Sequence, residues 1–360
     1  MTEDFKPYRY EPIALSSEST VVAEFVPEGV REASYQSEAA LERDFIAQLQ
    51  KQAYEYLSIT SEAALVTNLR RQLEALNKIA FSDAEWQRFF GSCIAGANDG
   101  TMEKTTRIQE DHVQLLKRDD GTIKNIYLID KQNIHNNRMQ VINQYETTPS
   151  PYGATPPQEG NKSALTGTPP GEGNFATRKN RYDVTILVNG LPMVHVELKR
   201  RGVDIREAFN QINRYQRESF WAGSGLFEYV QLFVISNGTL TKYYSNTVRE
   251  GHLDEQKTKR GKSKTANSFA FTSWWADAKN RPITELDGFA RTFFAKHSLL
   301  NILTRYCVFD VDRKLLVMRP YQIAATEQIL QRIATGTNTG IWAPRRRADT
   351  SGTPPAAARP

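Results

Sequence analysis

The stretch RYDVTILVNGLPMVHVELK, residues 181–199, carries two carboxylates and a lysine in a run that otherwise reads as buried strand. Side chains of a strand swap sides at every step, so Val194, Val196 and Leu198 share one face and His195, Glu197 and Lys199 the other. Asn189-Gly190 between two alternating runs is a strong hairpin signal. Asp183 stands six residues before Asn189 and Glu197 seven after Gly190, so strand pairing can bring both carboxylates to one place. Two carboxylates side by side repel unless a cation lies between them. Mg²⁺ takes hard oxygen ligands, usually one or two carboxylates plus substrate phosphate. Lys199, on the same face, can hold or help deprotonate a water facing phosphorus. The set is equipped for metal-assisted phosphodiester hydrolysis.

Over residues 204–219 the spacing predicts a helix. Ile205, Ala208, Phe209 and Ile212 form its apolar stripe, and Gln211 and Tyr215, four apart, share one face. Those two side chains can position a nucleic-acid backbone or the attacking water. Glu42, on the first predicted helix, is a candidate third acid. Taken singly, a Glu-x-Lys pair on a strand is most often an exposed ion pair, an Asp at a strand start a turn residue, and Gln-x-x-x-Tyr surface decoration. Order and spacing together bring the catalytic reading level with these bland ones. Gly261-Lys262-Ser263 does not make a phosphate loop, because the position five before Gly261 is Gln256 rather than glycine. Trp274-Trp275 reads as core or interface, and the basic run 257–264 as a solvated face.

The elements that must position these residues are legible in outline. Ser37 can cap a helix with Leu41, Phe45, Ile46 and Leu49 at helical spacing. A second helix, about 62–76, aligns Leu65, Leu69, Leu73 and Leu76, and a third follows near 82–90. Strands are predicted over 123–129, 139–145, 182–189, 192–199 and 229–236, and helices over 283–305 and 321–333. Residues 1–33 read as a loosely ordered arm. Residues 147–174, TTPSPYGATPPQEGNKSALTGTPPGEGN, lack the apolar content to offset ordering entropy and are expected to be a mobile loop or linker. The basic segment 255–267 is expected to be a loop within a hairpin. The Arg/Pro/Ala-rich end from Ala343 reads as a disordered tail.

Composition sets bounds on the class. The chain has 360 residues, 39% hydrophobic and 24% charged, enough for two or three domains. Its net charge of +5 suits a polyanionic partner without requiring one. Two cysteines far apart, Cys93 and Cys307, give no disulfide framework or zinc site. With no signal-peptide pattern and no apolar run of membrane-spanning length, the expectation is a cytoplasmic protein with no membrane association.

Asp183, Glu197-x-Lys199 and Gln211-x-x-x-Tyr215 together resemble the PD-(D/E)xK nuclease signature with the additional Gln-x-x-x-Tyr motif of RecB-like nucleases. The wider text 181–215, with VQLFVISNG at 230–238, resembles the N-terminal nuclease domain of the R (HsdR) subunit of type I restriction enzymes. The likeness runs from about Tyr35 to Ile333 and is most specific over 181–238. It implies an α/β fold of restriction-endonuclease type: a central mixed sheet flanked by helices over 34–305. It also implies Asp183 and Glu197 as Mg²⁺ ligands, Lys199 as the catalytic lysine, and Gln211 and Tyr215 as the auxiliary pair. Tyr182 stands where the signature has proline.

LLVMRPYQIAATEQIL, 315–330, resembles the beginning of a superfamily 2 helicase or translocase, with Arg319, Tyr321 and Gln322 in an adenine-reading Q motif over a region 306–342. The phosphate-binding loop that should follow is absent before the tail, so the motor, and its use of ATP, is expected to be largely missing from this chain. In the intact family the partners are double-stranded DNA and separate methylation and specificity subunits, and cutting follows ATP-driven translocation. Two readings compete with a nuclease domain: a truncated, non-catalytic module docking on DNA or subunits, and a DNA-repair or Holliday-junction nuclease, which the Gln-x-x-x-Tyr and RPYQ pieces fit less well.

Overall fold

The computed structural model describes residues 19–26, 36–147, 180–247 and 267–334. Apart from Thr147 and Asn267, the expected loops at 147–174 and 255–267 lie outside these, as does the tail. Of the arm expected to be loosely ordered over 1–33, residues 19–26 are described and are not loose: Thr20 and Val21 are buried, the Phe25 amide donates to Asp277 Oδ2 at 3.1 Å and Glu24 pairs with Lys279 and Arg281. The chain divides into two compact units, Met1–Ala324 and Ala325–Pro360, and the sheet with the elements around it lies in the first.

Helix α1 (Glu38–Lys51) starts where Ser37 accepts a hydrogen bond from the Ala40 amide, and buries Leu41, Phe45, Ile46 and Leu49 as its spacing requires. Strand β1 (Glu55–Tyr56) leads to α2 (Glu62–Asn77), α3 (Asp83–Phe89) and α4 (Thr101–Gln109). Strands β2 (Val113–Lys117) and β3 (Ile123–Tyr127) form a separate two-stranded ribbon. Strands β4 (Met139–Thr147), β5 (Asn180–Val188) and β6 (Leu191–Leu198), helix α5 (Ile205–Glu218), and strands β7 (Leu232–Ser236) and β8 (Thr241–Ser245) complete the sheet. Its order is β1-β4-β5-β6-β7-β8, with β1/β4 and β6/β7 parallel and the other pairs antiparallel. The expected mixed α/β architecture, a central mixed sheet with helices on both faces, is therefore present.

Every residue of β6 is buried, so it is a central strand covered on both faces. Helix α5, the crossover between parallel β6 and β7, lies on the face carrying His195 and Phe233, where Tyr215 and Phe209 meet the sheet. On the other face Tyr243 packs against Trp275, Phe289 and Phe293, the last two in and just after α6 (Leu286–Thr292); Phe294 meets Phe45 of α1. Helix α7 (Lys296–Arg305), ribbon strands β9 (Cys307–Phe309) and β10 (Leu315–Val317), and helix α8 (Pro320–Ala334) come next in the chain. Both cysteines are free.

Asn189 and Gly190 have φ of 51° and 83°, the left-handed pair that a two-residue hairpin turn demands. Asn189 also fixes the turn, accepting from the Arg138 amide and donating to Leu128 O and Asn137 Oδ1. A Cβ on Gly190 would stand 2.6 Å from Leu69 Cα. The register runs Val188↔Leu191 and Leu187↔Pro192, then shifts so that Ile186 faces Val194. Met193 is the extra residue of a β-bulge, and Pro192, with no amide to donate, sits beside it.

Several expectations differ from the outcome for local reasons. The helix expected over 283–305 is two helices separated at 293–295. The strand expected from Tyr229 begins at Leu232, because Leu226–Tyr229 is a 3₁₀ turn, and the 123–129 strand stops at Tyr127. Short elements with no strong period, α4, β2, β8, β9 and β10, were not legible. Trp275 is core, as expected, whereas Trp274 is half-buried with Lys242 over its ring.

Gly190→Ala adds a methyl against a backbone atom at a left-handed position, and is expected to lower stability by about 2 kcal/mol or more. The midpoint of urea unfolding measures this; an unchanged midpoint would show that the backbone around Leu69 relaxes freely.

Candidate active site

Without the bulge, the two-residue turn would pair Asp183 with Val196, leaving Glu197 on the opposite face. The extra residue at Met193 restores the phase: Val184 faces Val196 and Thr185 faces His195, which sets Asp183 across from Glu197 on one face. The one-residue difference in their distances from the turn is thus what the bulge absorbs.

Asp183 Oδ2 accepts from the Leu198 amide at 2.9 Å. Lys199 Nζ donates to Glu197 Oε1 at 3.1 Å and to Leu198 O at 2.9 Å. Glu38 Oε1, in the first turn of α1, stands 4.0 Å from the same ammonium. Glu197 is wholly buried, and its second oxygen, Oε2, has no hydrogen-bond partner; His195 Nε2, which also lacks one, stands 3.4 Å from it. His195 Nδ1 lies 3.3 Å from Thr185 Oγ1, and Tyr182, Tyr215, Phe220 and Phe233 surround the ring.

Burial, and after it the neighbouring Glu197 charge, pushes the Asp183 carboxyl well above the usual carboxylate range. Burial does the same to Glu197, against the opposing pull of the Lys199 ammonium. His195 is pushed down to about 4 by burial and is neutral at physiological pH. Burial alone would lower Lys199, but the Glu197 and Asp183 charges outweigh it and hold its proton more tightly than in water.

Gln211 donates to the Tyr215 hydroxyl, which donates at 2.8 Å to Arg181 O, two residues before Asp183. The auxiliary pair is thereby tied to the strand bearing the carboxylate. Glu42 accepts from the side chains of Asn143 and Gln144. Gln144 is the residue opposite Asp183 in the β4/β5 register and has φ of 53°, unusual for a residue with a side chain. The structure thus brings Asp183, Glu197 and Lys199 together, with Gln211 and Tyr215 beside them and Glu42 attached through β4. Arg319, Tyr321 and Gln322 belong to the start of α8 instead. There Gln322 Oε1 accepts from the Arg319 amide at 2.8 Å, Pro320 is the first helical residue and Tyr321 is exposed.

Sequence reasoning passed over Glu38, Gln144 and Thr185. Glu38 had a signal, one helical turn before Glu42; Gln144 had none, because its backbone conformation comes from the sheet.

The donor set suits a hard divalent cation: two facing carboxylates, one of whose oxygens is buried without a partner. Among the described residues no group of three or more His, Cys, Asp or Glu side chains is arranged to hold a metal. Two carboxylates with water and substrate oxygens still fit the way Mg²⁺ is ordinarily bound.

Fold and cluster define a class, a mixed-sheet α/β domain of restriction-endonuclease type. The family described as type I restriction enzyme R protein N terminus matches residues 35–252. The chain is 47% identical over 324 residues to the type I restriction enzyme EcoprrI endonuclease subunit of Escherichia coli, covering 90% of each. It is 34% identical over 316 residues to the type I restriction enzyme SauMSSORF170P endonuclease subunit of Staphylococcus aureus, covering 86% of this chain and 28% of that relative. The chain belongs to the family of type I restriction enzyme R proteins, in their N-terminal region. It spans nine-tenths of the first relative and little more than a quarter of the second.

Asp183 and Glu197 are both held above their unfolded values, so the folded state prefers their neutral forms. The stability this contributes is present below about pH 4 and is lost as pH rises through the folded values, past neutrality. The metal-free protein is expected to lose Tm over that window. The loss should shrink in Asp183→Asn/Glu197→Gln; equal slopes in the two proteins would contradict the assignment.

Proposed function

We propose that this chain carries the phosphodiester-cleaving centre of a type I restriction endonuclease, acting on double-stranded DNA with Mg²⁺. The observation that carries the reading is the bulged hairpin that sets Asp183 against Glu197 with Lys199 3.1 Å away. Family membership and the names of the relatives, both endonuclease subunits, support the nuclease class.

Asp183 and Glu197 would hold the cation. When bound, it neutralises the two carboxylates and polarises a phosphoryl oxygen. Lys199 then loses the charges that hold its proton so firmly, and its amine can orient and help deprotonate a water aimed at phosphorus. Gln211 and Tyr215 position the DNA backbone or that water beside Asp183, and Glu42 contributes a third acid from α1. The apolar and aromatic walls around His195 keep the interior dry, which strengthens each of these interactions.

Arg319, Tyr321 and Gln322 are proposed as the adenine-reading residues of an ATP-dependent region beginning near 306, separate from a nuclease domain over 34–305. These 360 residues hold no G-x-x-x-x-G-K-[S/T] pattern, so the phosphate loop for ATP-driven translocation would come from outside this sequence. Methylation and specificity subunits would choose the DNA, in the cytoplasm. No helix among the described residues is long and apolar enough to cross a membrane.

Calorimetric titration with Mg²⁺ should give binding heat for the wild-type chain and none for Asp183→Ala. Lys199→Met should retain the heat while DNA cleavage falls about 10²-fold or more. Cleavage that survives Glu197→Ala would sink the reading.

A further inference from the structure

We propose that the exposed face of α5, continued by Arg181 and Arg200 beside the carboxylate pair, is the track on which the sugar-phosphate backbone of duplex DNA lies; this rests on the nuclease reading above and assigns its substrate-binding surface. The track is formed by Arg206, Asn210, Arg214 and Arg217, which recur at helical spacing on one side of α5 and are all exposed. The opposite side of the same helix, Ile205, Ala208, Phe209 and Ile212, is buried in the core.

Three observations separate this face from an ordinary solvated one. First, the arginines lack acidic partners: none of Arg181, Arg200, Arg206, Arg214 or Arg217 makes an ion pair among the described residues. Arg88, Arg281 and Arg313 are exposed and paired, on Asp119, Glu24 and Glu110, whereas Arg43, Arg71, Arg138 and Arg305 are exposed and make no ion pair among the described residues; what marks this face is that three such arginines recur along one helix side. Second, two of them are held by aromatic rings rather than left free. Arg206 lies 4.4 Å from the centre of the Phe269 ring and Arg214 5.5 Å from that of Tyr215, which reduces the entropy cost of meeting a phosphate. Third, the surface is continuous with the site. Arg214 rests on Tyr215, whose hydroxyl bonds Arg181 O, and Arg181 shares a strand face with Asp183.

Charge points the same way. Residues 199–218, from Lys199 to the end of α5, hold six Lys or Arg against Asp204, Glu207 and Glu218, a net +3 in a chain of net +5. From Arg206 to Arg217 the helix rises about 16 Å, the length of about five nucleotides of one strand at about 3.4 Å each. The arginine fork suits phosphate oxygens and reads no base, as befits a cutting module that does not choose its sequence.

The test is binding of a short fluorescein-labelled duplex by the full chain, followed by anisotropy against salt concentration. EDTA in the buffer makes the readout independent of any metal and of cleavage. Arg206→Gln/Arg214→Gln/Arg217→Gln is compared with Lys117→Gln/Lys124→Gln/Arg305→Gln, which removes equal charge elsewhere. The ridge variant should bind about tenfold or more weakly, its salt slope falling by about 0.9 for each phosphate no longer neutralised, while the control stays close to wild type. Equal affinity and slope in wild type and ridge variant would overturn the proposal and leave the face to an acidic protein partner. Equal weakening in both variants would also overturn it, as a bulk charge effect. Mg²⁺ calorimetry on the ridge variant keeps the readings apart: retained heat with abolished DNA binding supports both, and absent heat in the wild type strikes only at the metal centre.

Discussion

Burying two carboxylates against each other is the constraint that the rest of the fold has to satisfy. Each charge loses hydration and each repels the other, and a mobile scaffold would let them separate or reach water. Here they cannot. Glu197 sits in a strand buried on both faces, Asp183 is fastened to the next strand by the Leu198 amide, and Lys199 supplies the only cation in contact with the pair among the described residues. The result is a pair of acids that gives up its protons reluctantly and whose ionised forms a divalent cation would stabilise.

Holding that arrangement requires the register to be right to a single residue, and the features securing it lie well away from the carboxylates. The left-handed turn at Asn189-Gly190 fits only against the Leu69 backbone, and the Asn189 side chain ties it to the segments around Leu128, Asn137 and Arg138. The bulge at Met193 then moves the phase by one residue. The β6-α5-β7 crossover lays Tyr215 over His195, so the strand that supplies Glu197 also launches the helix that walls it in.

What was legible in the sequence was whatever is local in chain distance. Asn189-Gly190 announces its turn, alternation announces the strands, and the apolar stripe of α5 places Gln211 with Tyr215. The bulge was not legible, because Met193 and Pro192 fit a regular strand start as readily as an irregular one, and the choice is made by β7, where the Gln231 amide just before it bonds Met193 O. The left-handed Gln144 and the approach of Glu38 to Lys199 are likewise decided by elements distant in sequence. The 293–295 break was hidden because Phe293 and Phe294 continue the apolar pattern while turning the chain toward Phe45 and Tyr243.

The charge distribution follows the same division between interior and rim. The acids lie inward, where burial favours their neutral forms and makes a cation welcome; arginines lie outside, on the solvent side of the helix whose other side covers the sheet. On the proposed reading the two zones act at different ranges. The rim attracts a polyanion through screened, salt-sensitive interactions that carry no sequence information. The interior acts only on the one phosphate brought within a few ångströms of Asp183 and Glu197. A site made this way would cut any duplex laid along α5. Its restraint would therefore depend on how DNA is delivered to the helix, not on the carboxylates, and that is why a module of this kind is consistent with a system in which other subunits choose the sequence.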